Sequence, residues 1–146
     1  GCQKIMRLRI KLLDERCRPQ RSYESDSGLD LRLRSEKPLT LNPFQPKLVK
    51  TGIAIELPPG CEAQVRPRSS LTRRGIIIPF GTVDNGYRGE VGAVVINITP
   101  AAQTLEAFER VAQLVVAPVC IPEIEYCEEL SVTERGESGF GSTGRV

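Results

Sequence analysis

The chain has 146 residues, of which 40% are hydrophobic and 26% are charged. This length is typical of one domain with one core, and no stretch approaches the ~18 consecutive apolar residues of a membrane span. The formal net charge of +2 is too small to indicate a nucleic-acid or membrane partner. The chain contains no histidine, which excludes a Ser-His-Asp triad, a Cys-His dyad and a zinc site with His ligands. Any catalysis must use carboxylates, Lys, Tyr, Cys, Arg or a bound metal.

Cysteine usage indicates a reducing environment. The five cysteines are odd in number and contain no CxxC pair or metal-ligand spacing, so we predict free thiols. Residues 4–10 alternate between apolar and charged side chains and do not form the apolar block of a signal peptide. We expect a soluble, intracellular protein of the cytoplasm or nucleus.

Period-two alternation of apolar and polar side chains dominates the chain and predicts half-buried strands. In chain order, the alternating or β-branched segments are Met6–Leu12, Leu29–Leu33, Cys61–Val65, Ile76–Ile78, Val91–Ile98 and Val111–Val116. Prolines and turn signals such as Asp84-Asn85-Gly86 separate them. We therefore predict an all-β fold of short antiparallel strands in a sandwich or barrel. The segment Ala101–Arg110 is compatible with a helix or with a strand and turn.

The C-terminal end differs from the rest of the chain. From Ser131 onward apolar residues nearly vanish, and glycines alternate with serine, threonine and one aromatic residue, Phe140. Such a segment has too little apolar surface to offset the entropy of ordering. We therefore predict a tail that is mobile until a ligand orders it.

This tail contains two glycine patterns that are associated with nucleotides. Gly139–Gly144 matches GxGxxG, but a dinucleotide fingerprint must follow a strand and open a helix, and the two residues after Gly144 do not provide one. A Walker A loop fails as well, because Ser142 and Thr143 stand where Lys and Ser/Thr are required. What remains is a glycine-rich backbone with hydroxyls and arginines that can approach phosphate. Composition alone also fits a disordered tail.

Two further segments carry polar chemistry. Arg66–Gly75 places hydroxyls and guanidinium groups beside a short predicted helical turn, which fits an anion site or a capped helix with solvated arginines. Gly81–Glu90 is a hairpin-type turn with two carboxylates and a tyrosine, and Asp30 lies on the polar face of a strand. In isolation, hairpin-turn chemistry is the favoured explanation for Gly81–Glu90 and a solvated charge is the usual explanation for Asp30, so neither carboxylate is specific alone.

Taken together and in order, five segments resemble the five motifs of the trimeric deoxyuridine triphosphatases (dUTPases). They are Ser27–Leu31, Pro67–Leu71, Gly81–Glu90, Arg110–Val115 and Arg135–Gly144. The resemblance implies a dUTPase-like jelly roll, a β-clip or distorted barrel, over residues 3–130, and a flexible glycine-rich arm over residues 131–146. It also implies a homotrimer with active sites at the subunit interfaces and exchanged C-terminal arms.

The same resemblance implies a reaction, the hydrolysis of dUTP to dUMP and pyrophosphate. Asp84 matches the carboxylate that activates water for in-line attack on the α-phosphorus. The implied cofactor is Mg²⁺, which would gather the triphosphate oxygens, and Asp30 would help to hold it through water. A carboxylate base is consistent with the absence of histidine.

The remaining site residues are implied in the same way. Tyr87 would press on the deoxyribose and exclude a 2′-hydroxyl, backbone groups of the hairpin would read uracil, and Phe140 would stack over the base. The other residues implied to contact the nucleotide are Arg68, Ser69, Ser70, Thr82, Val83, Asn85, Gln113, Arg135, Gly141, Ser142 and Thr143.

Departures from the family pattern leave two alternatives to consider. The departures are at Ser27, Ser70, Gly86 and Ser138. Two of them, Ser70 and Gly86, also suit the related dCTP deaminases, but this chain has Gly92-Ala93-Val94 where those enzymes carry the deaminating glutamate, and they lack the terminal Gly-Phe-Gly arm. Deamination is therefore disfavoured. The other alternative is an interaction or signalling module with little turnover. The intact motif residues argue against this alternative.

Overall fold

The computed structural model of the protein describes residues 5–139. In chain order its strands are β1 Arg9–Leu12, β2 Gly28–Arg32, β3 Leu39–Leu41, β4 Lys47–Glu56, β5 Cys61–Pro67, β6 Ile76–Ile77, β7 Gly81–Val83, β8 Glu90–Asn97, β9 Gln103–Leu105 and β10 Arg110–Pro118. A short helix, α1, spans Ser69–Arg73, and a 3-10 turn spans Glu15–Cys17. No helix in the described range is long and apolar enough to cross a membrane.

The strands form two four-stranded sheets and a two-stranded sheet. The first sheet has the order β1-β4-β8-β6, the second β2-β10-β5-β7, and the small sheet pairs β3 with β9; every neighbouring pair is antiparallel. One core joins both large sheets, with Leu31, Val65 and Leu114 from the second and Ile53 and Val95 from the first all nearly inaccessible. Burying each of these side chains stabilises the fold by roughly 1.5–3 kcal/mol. The prediction of an all-β fold with one core is confirmed.

The segment Ala101–Arg110 is a strand and a turn. β9 pairs with β3 and places Thr104 opposite Thr40, which suits β-branched side chains. Phe108 then takes a positive φ of 56°, a conformation that ends any regular element. The guanidinium of Arg16 lies 4.4 Å from the centroid of the Phe108 ring, and this cation–π contact joins the turn to the 3-10 segment.

The N-terminal strand is shorter and more exposed than its alternation predicts. β1 begins only at Arg9, and Met6 is exposed. Leu8 and Leu12 do pack against the core, but only as partly buried side chains. β1 is an edge strand that pairs with β4 alone, so its other edge has no neighbouring strand within residues 5–139. The predicted half-buried strand over Met6–Leu12 is therefore wrong in its start and in its burial.

The 3-10 turn carries a buried thiol. Cys17 is inaccessible and packs against Gly52, and this burial raises the pKa of its thiol. The neighbouring Asp14 accepts hydrogen bonds from the Arg16 side chain and backbone, which lower the pKa of the Asp14 carboxyl. The described cysteines, which are Cys17, Cys61, Cys120 and Cys127, are all free thiols as predicted, and Cys2 lies outside the described residues.

Beyond β10 the described chain runs along the outside of the fold. Residues 120–139 are exposed throughout, although the backbone of Val119 still donates a hydrogen bond to Gly60 at 2.9 Å. Several of the exposed side chains are apolar, and Tyr126 and Val132 are 93% and 98% exposed. Several exposed apolar residues along one segment are typical of a surface that contacts another protein surface.

Candidate active site

The predicted site residues line two separate cavities of the described chain. The first, which we call the Asp84 cavity, has a volume of about 620 Å³ and is lined by Thr82, Val83, Asp84 and Tyr87 among the predicted residues. The second, the Asp30 cavity, has a volume of about 400 Å³ and is lined by the predicted residues Asp30, Arg68, Ser69, Ser70 and Gln113. Each cavity thus gathers its own subset of the predicted side chains.

β5 separates the two cavities. β7 pairs with the start of β5, where Val83 lies opposite Ala63, so Asp84 follows directly beside that end. Arg68 follows the other end of β5, at Pro67. The six residues from the level of Asp84 to Arg68 span about 20 Å at the rise of an extended strand. A single chain therefore holds Asp84 and Arg68 at opposite ends of one strand and does not unite them in one site.

The Asp84 carboxylate is available for chemistry. Asp84 is the first residue after β7 and is exposed, and its side chain has no hydrogen bond or ion pair to any residue in the range 5–139. Its backbone carbonyl accepts a hydrogen bond from the Tyr87 N–H at 3.1 Å, which closes the turn. A charged carboxylate beside a largely apolar cavity, without a cation to neutralise it, can accept a proton from water.

Tyr87 forms a fixed wall of the same cavity. Its hydroxyl donates a hydrogen bond to the carbonyl of Glu90 at 2.9 Å. The ring lies over Gly89, where an added Cβ would come within 2.5 Å of the tyrosine oxygen and 2.7 Å of Cζ. Only glycine leaves room for this arrangement. The tyrosine is therefore held by the hydrogen bond of its hydroxyl, and its ring packs against the backbone of Gly89.

Asn85, between these two residues, faces the protein. Its amide nitrogen donates to the carbonyls of Pro58 and Cys61, each at 3.0 Å. Its own backbone carbonyl accepts a hydrogen bond from the Arg88 guanidinium at 2.8 Å. The assignment of Asn85 to substrate binding stays a prediction, and these bonds already occupy both amide hydrogens.

Asp30 is held between two arginines in the second cavity. Its carboxylate oxygens lie 3.4 Å from Arg68 Nε and 3.6 Å from Arg110 Nη1, and its side chain is 12% exposed. Arg68 also donates to the backbone carbonyl of Arg110 at 3.1 Å. The carboxylate is therefore paired and largely buried, in contrast to the solvated charge that its position on a strand suggests in isolation. Two cations around one anion leave positive charge for a further anionic ligand.

Hydroxyl and amide groups surround this charged cluster. Ser69 and Ser70 open α1 directly after Arg68, and both line the cavity. Gln113 lies on β10, opposite Asp30, and donates its side-chain N–H to the carbonyl of Pro67 at 3.0 Å. Its amide group occupies the space where Gly28 lacks a side chain. The cavity thus presents several donors of the kind that bind phosphate oxygens.

Three features of the site escape sequence reasoning, namely Arg110 as a partner of Asp30 and the two supporting glycines, Gly28 and Gly89. A glycine in a strand is a recognised signal of close approach, and Gly28 is the first residue of β2. Arg110 carries no such signal, since it is remote from Asp30 in the chain and only the pairing of β2 with β10 brings them together.

Only part of the glycine-rich arm, residues 131–139, lies within the range that the structure describes. Arg135 is exposed, lines neither cavity, and donates from Nε to the carbonyl of Ser138 at 2.7 Å. Phe140, Gly141, Ser142 and Thr143 lie outside the described residues. The assignment of these five residues to the substrate stays a prediction.

No group of three or more His, Cys, Asp or Glu side chains that could cage a metal occurs within residues 5–139. The Asp30 cavity does contain carboxylates, from Asp26 and Asp30, together with serine hydroxyls. Mg²⁺ is commonly bound by one or two carboxylates while substrate phosphates and water supply the other oxygens. The donor set therefore fits an ion that arrives with a phosphate ligand.

The all-β fold holds two cavities lined by the predicted residues, and comparison with known proteins identifies the family. The dUTPase family model matches residues 15–144. A deoxyuridine 5'-triphosphate nucleotidohydrolase of Anaeromyxobacter sp. (strain Fw109-5) is 48% identical over 126 residues, which cover 84% of this chain and 86% of the relative. The corresponding protein of Crocosphaera subtropica is 46% identical over 138 residues, covering 92% and 96%. The chain belongs to the dUTPase family.

Solved structures agree with this assignment. A Staphylococcus bacteriophage 80alpha dUTPase with dUPNHPP superimposes with a TM-score of 0.86 at 30% identity, covering 94% of this chain and 98% of the other. A mutant dUTPase of phage phi11 of S. aureus, described with a structural Mg(II) ion, has a TM-score of 0.78 at 24% identity over 86% of this chain and 99% of that one. The latter supports the fold alone. The predicted dUTPase-like fold is confirmed.

Proposed function

We propose that this dUTPase hydrolyses dUTP to dUMP and pyrophosphate with Asp84 as the group that activates water. The water oxygen bonds to the α-phosphorus, the bond from that phosphorus to the bridging oxygen breaks, and pyrophosphate departs in line with the electron pair. Asp84 accepts the proton that the water releases. The observation that carries this role is the exposed Asp84 carboxylate, which has no partner in the described range and lies beside the anchored Tyr87.

The Asp84 cavity is the proposed site of the nucleoside. Its lining is largely apolar and includes Ile78, Val91 and the exposed ring of Phe80, which suits a flat pyrimidine. Backbone groups of Thr82, Val83 and the following turn would read the edge of uracil. The Tyr87 ring would stand beside C2′ of the sugar, and its fixed position leaves no room for an added hydroxyl.

The Asp30 cavity is the proposed site of the phosphates. Arg68, Ser69, Ser70 and Gln113 supply charged and neutral donors for phosphate oxygens. Asp30 would hold the hydration shell of Mg²⁺ while the triphosphate oxygens supply its other ligands. When bound, the ion supplies charge stabilisation for the departing pyrophosphate. The phosphates would compete with Asp30 for Arg68, since one guanidinium serves both.

A site of this kind must be completed between copies of the chain. One nucleotide cannot reach both Asp84 and Arg68 of the same chain across about 20 Å of β5 and still have its α-phosphorus at the water-activating carboxylate. A closed ring in which each copy lends the Asp84 end or the Asp30 end of β5 to a neighbour meets this requirement, and we propose the C₃ homotrimer that the resemblance to the trimeric dUTPases implies. Each interface then contains one complete site.

Exchange of the C-terminal segment would complement this assembly. Residues 119–132 combine exposed apolar side chains with four glutamates and contain no lysine or arginine. A cavity of about 650 Å³ beside β1 has the opposite character, because its lining combines apolar side chains with Arg7, Arg9 and Arg21. We propose that this segment of one copy covers the exposed β1 face of another, which accounts for the shallow burial of Met6.

The remainder of the arm, residues 131–146, is proposed to close over the bound nucleotide. Residues 131–139 are exposed, and within this segment Arg135 donates a hydrogen bond to the carbonyl of Ser138. Phe140 would stack on the base, Arg135, Ser142 and Thr143 would close on the phosphates, and Gly141 would let the backbone approach. The division of the chain into a barrel over 3–130 and this arm remains part of the proposal.

The free thiols support a reducing compartment, and we place the protein in the cytoplasm or nucleus. Cys120 and Cys127 are exposed in the described chain and unpaired, which an oxidising compartment would not preserve.

The activity is tested by incubating the protein with dUTP, dCTP or UTP and Mg²⁺ and measuring pyrophosphate and ammonia. The proposal requires pyrophosphate from dUTP, far less from the other two nucleotides, and no ammonia. Ammonia from dCTP would support deamination, and the absence of both products with every nucleotide would support a binding module. Loss of activity with EDTA and recovery with Mg²⁺ would support the role of the ion.

A further inference from the structure

The side chain of Asn85 ties the Asp84 turn to a distant turn of the fold. The amide nitrogen donates to the carbonyls of Pro58 and Cys61, both at 3.0 Å, although these residues lie 27 and 24 positions away in the chain. Asn85 is half-buried, so water competes only weakly for these bonds. The contact joins the two turns that lie side by side at the start of β5.

The turn on the other side of the contact is itself tightly held. It connects β4 to β5, its glycine Gly60 takes a positive φ of 74°, and the N–H of Cys61 donates to Pro58 at 3.2 Å. The carbonyls of Pro58 and Cys61 both face Asn85, and a donor with two hydrogens can bond to both of them at that point. Asparagine supplies both, whereas the isosteric aspartate carboxylate supplies only acceptors.

We propose that Asn85 is a positioning residue for the reaction, which rests on the proposed role of Asp84. Held by two hydrogen bonds to a rigid turn, Asn85 fixes the backbone of the adjoining Asp84 and thereby aims its carboxylate at the attacking water. Its side chain does not line the Asp84 cavity. The residue therefore acts on the orientation of the base and contributes little to the affinity for the nucleotide.

The chain offers a matched control in Asn97. The Asn97 amide nitrogen also donates to two backbone carbonyls, those of Leu41 at 3.0 Å and Ala101 at 2.8 Å. Asn97 is fully buried and lines neither the Asp84 cavity nor the Asp30 cavity. The two asparagines thus form the same kind of contact, one beside the proposed base and one away from it.

The test compares Asn85→Asp, Asn85→Ala and Asn97→Asp in the full-length protein. Three quantities are measured: kcat per site titrated with a non-hydrolysable dUTP analogue, the Kd of that analogue, and Tm. Because kcat is referred to titrated sites, a partly misfolded preparation does not imitate a catalytic loss. We expect both Asn85 variants to lose about 10- to 100-fold in kcat, as a small misplacement of a reacting group does, while Kd stays within about threefold.

The control should show the opposite pattern. Asn97→Asp should lower Tm by more than either Asn85 variant, because Asn97 is fully buried whereas Asn85 is half-buried, and its kcat per titrated site should stay within about twofold. Asn85→Asp provides a further readout. As the pH falls, a protonated carboxyl can donate one of the two lost hydrogen bonds, so the ratio of its kcat to the wild-type kcat should rise.

Three results would overturn the inference. Unchanged kcat in both Asn85 variants removes the positioning role, and weakening of analogue binding as large as the loss in kcat/KM makes Asn85 a substrate contact instead. A Tm loss without a kcat loss makes the contact purely structural. Failure of the unaltered protein to hydrolyse dUTP would instead overturn the proposed function, so the two failures are distinguishable.

Discussion

Asp84 and Asp30 are the same residue type in two opposite environments, and the contrast is consistent with the different roles proposed for the Asp84 cavity and the Asp30 cavity. Asp84 is exposed and has no partner among the described residues, whereas Asp30 is largely buried and lies between Arg68 and Arg110. A nearby cation lowers the proton affinity of a carboxylate, so an unpaired carboxylate suits a group that takes a proton from water. A carboxylate that organises charge needs partners that fix it.

The surroundings of the two carboxylates follow the same division. The Asp84 cavity is mostly apolar and is shaped by the Tyr87 ring, which suits a nucleoside. The Asp30 cavity is mostly polar and collects arginine, serine and glutamine donors, which suits phosphates. In the proposed function, each end of β5 therefore recognises one part of the nucleotide, and neither end is a complete site.

The largest expected effect comes from removing the unpaired carboxylate. Asp84→Asn keeps the shape of the turn but cannot accept a proton, so turnover of dUTP should fall by at least the ~10²–10⁴ typical of a lost general base. Binding of a non-hydrolysable analogue should remain, because the donors of the Asp30 cavity are unchanged. Steady-state kinetics and calorimetry measure the two quantities. Near-normal turnover in this variant would remove Asp84 from the mechanism.

A smaller but still large effect is expected from deleting the arm. Truncation after Leu130 removes residues 131–146, of which residues 131–139 are exposed, so the protein should stay folded and trimeric by light scattering. Turnover should fall on the order of 10²-fold, because the phosphates are no longer closed off and fixed in the in-line geometry. A truncated trimer that hydrolyses dUTP at the full rate would exclude the arm from the active site.

The phosphate half-site can be perturbed alone through Gly28. A Cβ at this position would collide with the Gln113 amide, so Gly28→Ala should displace that side chain and leave the Asp84 turn intact. Loss of a hydrogen bond to a charged group costs roughly 1.5–3 kcal/mol, which corresponds to about 10- to 100-fold weaker binding of the triphosphate. Calorimetry should show this loss for the dUTP analogue and little change for deoxyuridine. Equal weakening of the binding of both ligands would contradict the assignment of phosphate binding to the Asp30 cavity.

The nucleoside half-site can be perturbed alone through Tyr87. Tyr87→Ala removes the wall beside the sugar, so the preference for dUTP over UTP should narrow by about tenfold, mainly because UTP becomes a better substrate. Relative kcat/KM for the two substrates measures the effect. An unchanged ratio would mean that the 2′-hydroxyl is rejected elsewhere.

Much of this architecture can be predicted from the sequence, because local patterns determine it. Alternation and β-branched runs predict β5, β8 and β10, and the Asp84-Asn85-Gly86 turn is evident from its residues alone. Local patterns fail where a partner from elsewhere decides the outcome. Met6–Leu12 alternates like a half-buried strand but lies at a sheet edge, so its burial depends on what covers that edge.

The candidate site likewise contains features that the sequence predicts and features that it does not. The residue types and their order carry the resemblance to a family, but the ion pairs around Asp30 come from strand pairing between distant segments. The two bonds of Asn85 likewise join turns that are remote in sequence. Contacts of this kind leave no periodic signal in a single chain, so only the structure assigns them.

The central claim is that an active site combines the Asp84 end of one chain with the Asp30 end of another. The direct test is complementation between Asp84→Asn and Arg68→Met, two variants that should each be nearly inactive as homotrimers. Co-expressed in equal amounts, they should assemble at random, and about a quarter of the sites should then combine two unaltered half-sites. The mixed preparation should therefore have about a quarter of the wild-type kcat per site. A mixture no more active than the mean of its two parents would contradict it.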